Sequence, residues 1–268
     1  MHDLSPSQFQ TITDLMFRQT GIQLSKEKQM LVKGRLVGRL HHLGLRTFEE
    51  YFKYLSSNLS EVHFVVGAVT THYTSFFREA HHFRQLVTEI VPRQQKKTRS
   101  RSLRVWSAGC STGEEAYTVA MVLDDALGVK CRLEVVGTDV SKASVQKAKN
   151  GVYSASEVRG IPRGHRQTYL QSGTGGNRGT FRVAPQLRAM VKFVEHNLLE
   201  VLNNNGDFDI IFIRNVLIYF GEDQVQKILS LLIRRLTIGG VLFVGHSEVL
   251  AHPLLRRMGR NAYERVQA

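Results

Sequence analysis

The chain has almost no cysteine: two thiols, Cys110 and Cys131, in 268 residues. That excludes a disulfide-stapled secreted scaffold, and two thiols cannot build a structural zinc site without histidine help. Both cysteines are expected to be reduced and structural, and no metal is expected. Long apolar runs are missing too. No stretch approaches the roughly 18–20 residues that span a bilayer, and the start, MHDLSPSQFQ, lacks the basic and apolar regions of a signal peptide. A cytoplasmic protein is therefore expected. Acids are scarce beside bases, 23 Asp and Glu against 36 Lys and Arg, leaving a net charge of +13. Such a surface calls for an acidic partner, and nucleic acid, an anionic membrane face or an acidic protein would each satisfy it. No internal repeats are visible.

What is present reads as two parts. In the first hundred residues the apolar positions recur at helical spacing. Ser5-Pro6-Ser7-Gln8 is a capping box with proline at the first helical position, and Phe9, Ile12, Leu15 and Met16 then share a face before Gly21. Ser25 is placed to cap a second helix with apolar positions Leu31, Val32, Leu36, Leu40 and Leu43, stopped by Gly44. Thr47 with Glu50 opens a third, residues 60–69 form a fourth, and 79–91 a fifth ahead of Pro92. The second helix carries Lys33, Arg35 and Arg39, which are either a solvated face or a docking surface for an acidic partner. Residues 93–102, RQQKKTRSRS, are basic, polar and aperiodic, and read as a linker after a helical domain over 1–92.

From residue 103 the pattern changes to short apolar runs alternating with helical segments. Strands are expected at 103–107, 133–138, 191–194, 209–214 and 241–245, with helices at 114–127, 142–149 and 222–236. This alternation predicts an α/β domain over 103–268, Rossmann-like, with a doubly wound and mostly parallel sheet. Residues 151–187 break it with scattered glycines, and predict an inserted antiparallel β subdomain.

The first strand-to-helix loop, Ser107-Ala108-Gly109-Cys110-Ser111-Thr112-Gly113-Glu114-Glu115, is where an open α/β sheet contacts its ligand. A phosphate loop needs lysine and a hydroxyl after its last glycine, and a dinucleotide loop needs G-x-G-x-x-G. Neither is met. Acids at a helix start suit the macrodipole whatever the ligand, but they would repel phosphate and welcome a sulfonium or ammonium. S-adenosylmethionine is a nucleoside with both cations and no phosphate. A second acid at the end of the second strand would accept hydrogen bonds from its ribose, and Asp139 stands there.

Together with Gly137-Thr138-Asp139, Asn197-Leu198-Leu199, Arg214-Asn215-Val216-Leu217-Ile218-Tyr219-Phe220 and Gly245-His246-Ser247-Glu248, this loop closely resembles the CheR-type chemoreceptor glutamate methyltransferases. The resemblance spans essentially the whole chain, and five motifs in order are more specific than any one. It implies transfer of a methyl group from S-adenosylmethionine to side-chain carboxylates of receptor glutamates, leaving S-adenosylhomocysteine. The family's T-T-N-x-T-x-F-F-R motif appears here as Thr70-Thr71-His72-Tyr73-Thr74-Ser75-Phe76-Phe77-Arg78, with His72 in place of asparagine. The resemblance implies cofactor contacts from His72, Thr74, Arg78, Gly109, Arg214 and Asn215, with Glu114 at the methionine end, Asp139 at the ribose, and Asn197 and Leu198 at the adenine. Glu115 is left as a helix-start residue. Arg78 and Tyr219 are the candidates for orienting the substrate carboxylate. Partners implied are the acidic cytoplasmic helices of chemoreceptors, met by Lys33, Arg35 and Arg39. Some members also bind a receptor C-terminal peptide by strand addition to the β subdomain, for which residues 172–183 are the candidate. Two rivals remain: a nucleic-acid methyltransferase, disfavoured because Asn215 is followed by Val216-Leu217 rather than Pro-Pro, and a module that binds cofactor without turnover.

Overall fold

The computed structural model describes residues 3–70, 73–97, 102–128, 131–203 and 206–267. Four helices open the chain: α1 (Pro6–Thr20), α2 (Gln29–His42), α3 (Phe48–Ser57) and α4 (Leu59–Val69). The capping boxes at Ser5 and Thr47 both form, whereas Ser25 makes no side-chain cap and only begins a short 3-10 turn before α2. Ile12, Met16, Val32, Leu36, Leu40, Tyr51 and Val65 are buried together in the core of this layer. Leu31, expected inside, is exposed.

The fifth helix departs from expectation. It is α5 (Ala80–Gln85), a π-helical turn (Leu86–Ile90) and α6 (Val91–Lys97), so Pro92 does not end it. Proline lacks the amide hydrogen and crowds the carbonyl four residues back, and a locally widened turn absorbs both defects. Phe83, Leu86, Ile90 and Val91 pack into the core of the sheet domain. The break between cores therefore lies near residue 70, not 92. Of the expected linker, 93–97 is helical and 98–101 lies outside the described residues.

The second part follows as β1 (Ser102–Ala108), α7 (Glu114–Leu127), β2 (Arg132–Asp139), α8 (Lys142–Asn150), β3 (Val152–Ser154), α9 (Arg163–Tyr169), β4 (Leu170–Ser172), β5 (Thr180–Val183), α10 (Pro185–Arg188), β6 (Val191–Glu195), β7 (Phe208–Ile213), α11 (Glu222–Arg235), β8 (Leu236–Val244), β9 (Leu255–Arg257) and β10 (Ala262–Arg265). The main sheet runs β6-β2-β1-β7-β8-β10-β9, parallel through β8 and antiparallel at β10 and β9. The five expected strands and three helices are all there. The last two strands were not foreseen, and β8 starts five residues earlier than expected.

Successive residues of each central strand enter opposite cores. Val105, Ile210, Phe212 and Phe243 face α5 and α7, and Trp106, Ile211, Ile213 and Leu242 face α11. This is the period of two for a sheet covered on both faces. The insertion is a three-stranded antiparallel sheet, β3-β5-β4. Strand order reverses between β1 and β7, which opens a crevice at their carboxyl ends.

Candidate cofactor site

That crevice holds a cavity of about 270 Å³, near the lower end of the ~300 Å³ and upward usual for small-molecule sites. Its walls come from the ends of β1, β2, β6 and β7, from residues 73–78, and from the first domain through Thr20, Ile22, Leu24, Lys28 and Val69. Two hydrogen bonds hold the first domain there: Gln23 donates its backbone N–H to the Tyr219 carbonyl at 3.0 Å, and the Asn197 side chain donates through Nδ2 to the Gln19 carbonyl at 3.0 Å.

Of the residues expected at the cofactor, Thr74, Arg78, Gly109, Asp139, Asn197, Leu198, Arg214, Asn215 and Tyr219 line this one cavity. His72 lies outside the described residues. Glu114 is not in the wall. It is buried behind it, with the single Thr112 hydroxyl donor within 2.8 Å of both its oxygens, on the side of α7 toward Lys147 and Glu157. Glu115, set aside in the sequence as a helix-start residue, is the acid that faces the cavity. Neighbouring helical residues point about 100° apart, so only one of the pair can look into the crevice, and the roll of α7 against the sheet selects the second.

Glu115 is held on two sides. Ser107 Oγ donates to Oε1 at 2.7 Å, and Arg214 Nη1 lies 3.1 Å from Oε2. Burial pushes its carboxyl above the ordinary value, against the pull of Arg214. Arg214 also donates to the Arg78 carbonyl at 2.6 Å, lies 3.4 Å from Glu79, and stacks 5.4 Å over the Phe83 ring. Arg214 is thus largely neutralised by Glu115 and Glu79. Asp139 accepts from Ser111 N at 2.8 Å and from Ser141 N at 2.9 Å, one bond on each oxygen.

The glycines of the loop serve packing. Gly109 has φ 79°, and a Cβ there would lie 2.6 Å from Val216; Gly113 has φ 99°, and a Cβ there would lie 2.8 Å from Ala148. Each combines a left-handed backbone with a neighbour that leaves no room. Cys110 is buried, and burial together with Asp139 and Glu115 keeps its thiol protonated.

Glu248 has a function that the sequence did not suggest. Its buried carboxylate accepts backbone N–H bonds from Gly245, Asn215, Val216 and Leu217, at 2.6–3.0 Å. It thereby shapes the turn that carries Asn215 at φ 58°, a backbone state most residues avoid. The only sign of this in the sequence is an acid three residues after a glycine at a strand end.

The family model described as CheR methyltransferase, SAM binding domain, matches residues 72–260, and that described as CheR methyltransferase, all-alpha domain, matches residues 7–70. The chain belongs to the CheR methyltransferase family. Chemotaxis protein methyltransferase 2 of Pseudomonas aeruginosa is 39% identical over 95% of this chain and 91% of its own length. The chemotaxis protein methyltransferase of Escherichia coli strain K12 is 40% identical over 93% of this chain and 86% of its own. Among solved structures, a plantazolicin methyltransferase in complex with S-adenosylhomocysteine is similar with a TM-score of 0.37 and 11% identity, over 62% of this chain and 46% of that one.

The cofactor of a CheR methyltransferase is S-adenosylmethionine, and the donor set fits it. Glu115 and Asp139 place two carboxylates in the wall, which suit a cationic sulfur or amine and the hydroxyls of a ribose. Leu198, Val140 and His196 supply a flat, uncharged wall for a base; burial holds His196 below its ordinary range and so neutral.

The expected docking face takes a different form. Arg35 donates to the carbonyls of Ala68, Val69 and Thr70 within 3.1 Å, capping the C-terminus of α4. Arg39 forms a two-pronged pair with buried Glu61, which also accepts from Tyr51. Lys33 pairs with the exposed Asp3. These cations hold the helical domain together, and Lys33 is the most weakly committed of the three. Lys28, which was not considered, reaches the cavity and stacks 4.9 Å over the Tyr219 ring.

Proposed function

We propose that this chain transfers the methyl group of S-adenosylmethionine to side-chain carboxylates of glutamates on the cytoplasmic helices of chemoreceptors. The observation that carries this reading is one cavity lined by two acids, Glu115 and Asp139, and by two cations, Arg78 and Lys28, with Lys28 over the Tyr219 ring. The acids suit a cationic methyl donor and the cations an anionic acceptor.

When bound, the cofactor supplies a methyl group activated by its sulfonium. A glutamate carboxylate has a pKa of about 4.3 and is already ionised at neutral pH, so no general base is needed. The residues have to align it and exclude water, where positioning can supply about 7–11 kcal/mol. Arg78 is set for this: Nη1 donates to the Tyr73 carbonyl at 2.8 Å and the guanidinium lies 5.3 Å from the Tyr73 ring centre, which fixes the fork and leaves further donors to meet a carboxylate. Tyr219, with Lys28 over its ring, lines the same cavity, and Ile22, Leu24 and Val69 add apolar wall to it.

The excess positive charge suits an acidic receptor helix, with Lys28 and Lys33 as its nearest contacts. A receptor C-terminal peptide could join the β subdomain by strand addition. β5, which covers most of the candidate stretch 172–183, is the central strand and has both edges taken. The outer edges of β3 and β4 are the places for such a strand. Among the described residues no helix is long and apolar enough to cross a membrane, which agrees with action on receptors from the cytoplasm. The motif difference after Asn215 still speaks against a nucleic-acid substrate.

The test is incubation with methyl-labelled cofactor and receptor-containing membranes. Label on receptor that base releases as volatile methanol supports the reading; cofactor binding without it supports a non-catalytic module.

A further inference from the structure

Outside the cavity, one cluster of titratable side chains contains buried polar atoms without hydrogen bonds. Glu79 is the N-cap of α5, at φ 55°, and His81 and His82 follow in the first turn. Each offers one ligand atom, and these lie within 4.8 Å of one another. His82 is fully buried, yet neither ring nitrogen makes a hydrogen bond, and neither does the buried Oε2 of Glu79. Buried polar atoms are normally satisfied, so a fully buried imidazole with both nitrogens unmet, beside a carboxylate oxygen held only by a 3.4 Å ion pair with Arg214, needs a reason.

The geometry points to a ligand. His82 Nδ1 lies 3.4 Å from Glu79 Oε2, too long for a good hydrogen bond. It is the spacing of two ligands on one tetrahedral metal, about 3.4 Å for bonds of about 2.0–2.1 Å. The other carboxylate oxygen, Oε1, lies 3.2 Å from His246 Nδ1, where a second imidazole can orient it. His81 is exposed, and its ring lies 4.1 Å from that of His82, so its ligand atom is already beside the other two. We propose that Glu79, His81 and His82 form a binding site for a divalent transition metal of the zinc class, with the fourth position left to water. Two imidazoles and one carboxylate suit zinc, cobalt or nickel rather than magnesium or calcium.

The site touches the cofactor cavity through one residue. Glu79 Oε2 is also 3.4 Å from Arg214 Nη2, and Arg214 lines the cavity. A metal takes Glu79 from Arg214 and adds positive charge beside the guanidinium, so occupancy of the site opposes binding of a cationic cofactor. By linkage the cofactor weakens the metal to the same degree. This coupling, unlike metal binding itself, rests on reading the cavity as the S-adenosylmethionine site.

Chelator-treated full-length protein titrated with Co²⁺ tests the site by visible absorption, with Zn²⁺ calorimetry beside it. The expected result is one equivalent bound at micromolar affinity or better with a four-coordinate cobalt spectrum, weakened at least about tenfold in His81→Ala. His81 is exposed, so that variant keeps its fold; His82→Gln gives the second reading. Absence of saturable binding, or equal affinity in both variants, overturns the site. For the coupling, saturating Zn²⁺ should lower S-adenosylmethionine affinity severalfold in the wild type and not in His81→Ala. Unchanged cofactor affinity in metal-loaded wild type overturns the coupling and leaves the site standing.

Discussion

Glu115 and Arg214 are buried face to face at the cavity wall, and each limits what the other can do. Arg214 offsets part of the burial that raises the Glu115 carboxyl, while Glu115 keeps Arg214 from acting as a free anion site. Glu115→Gln is therefore expected to lower S-adenosylmethionine affinity about tenfold or more, with a smaller effect from Glu114→Gln, by calorimetry. The pH dependence follows from the raised carboxyl of Glu115. It takes up a proton above the ordinary carboxylate range as pH falls, and bound sulfonium favours the ionised form. Affinity for S-adenosylmethionine should therefore drop on acidification above the range in which ordinary carboxylates titrate. S-adenosylhomocysteine, whose sulfur is neutral, should lose less; equal losses would show that Glu115 does not face the sulfur. The sequence made an acid pair at this helix start legible but not which acid looks inward. That choice depends on the roll of α7, set by packing of Tyr117, Val119 and Leu123 far from the loop.

The loop after β7 is a shape imposed by a distant side chain. Glu248 collects four backbone N–H groups, three from 215–217 and one from Gly245. Hydrogen bonds to a charged group are worth about 1.5–3 kcal/mol each and are far from additive. Glu248→Ala should cost about 3 kcal/mol or more in denaturant unfolding and weaken cofactor binding through Asn215, although Glu248 does not line the cavity. Loss of stability without loss of affinity would mean that Asn215 is placed by other means. In the helical layer, Glu61→Ala leaves Arg39 and Tyr51 unpaired and should destabilise by about 3–5 kcal/mol. Most elements were legible because their apolar period is regular. Pro92 misled because a π turn rescues the helix through it, and β9 and β10 were missed because strands of three and four residues carry too little pattern.

At the scale of the whole molecule, the cavity is completed only where the two domains meet. The first domain gives Thr20, Ile22, Leu24, Lys28 and Val69, and the sheet domain gives the acids. Lys28→Ala should raise KM for receptor while leaving S-adenosylmethionine affinity nearly unchanged, since Lys28 sits over Tyr219, a candidate for orienting the acceptor carboxylate. Family and cofactor were legible because five motifs fall in order along the chain. The docking face was not, since Arg35 and Arg39 read as surface cations until their partners, the end of α4 and Glu61, are seen across the helical layer. The central claim is methyl transfer to glutamate carboxylates with Arg78 as orienting residue. Peptide-resolved mass spectrometry of receptor incubated with enzyme and S-adenosylmethionine tests it most directly. Methyl esters on glutamates of the acidic cytoplasmic helices, lost with Arg78→Ala while that variant still binds cofactor, are the predicted result; methylation of any other group, or none despite bound cofactor, would contradict it.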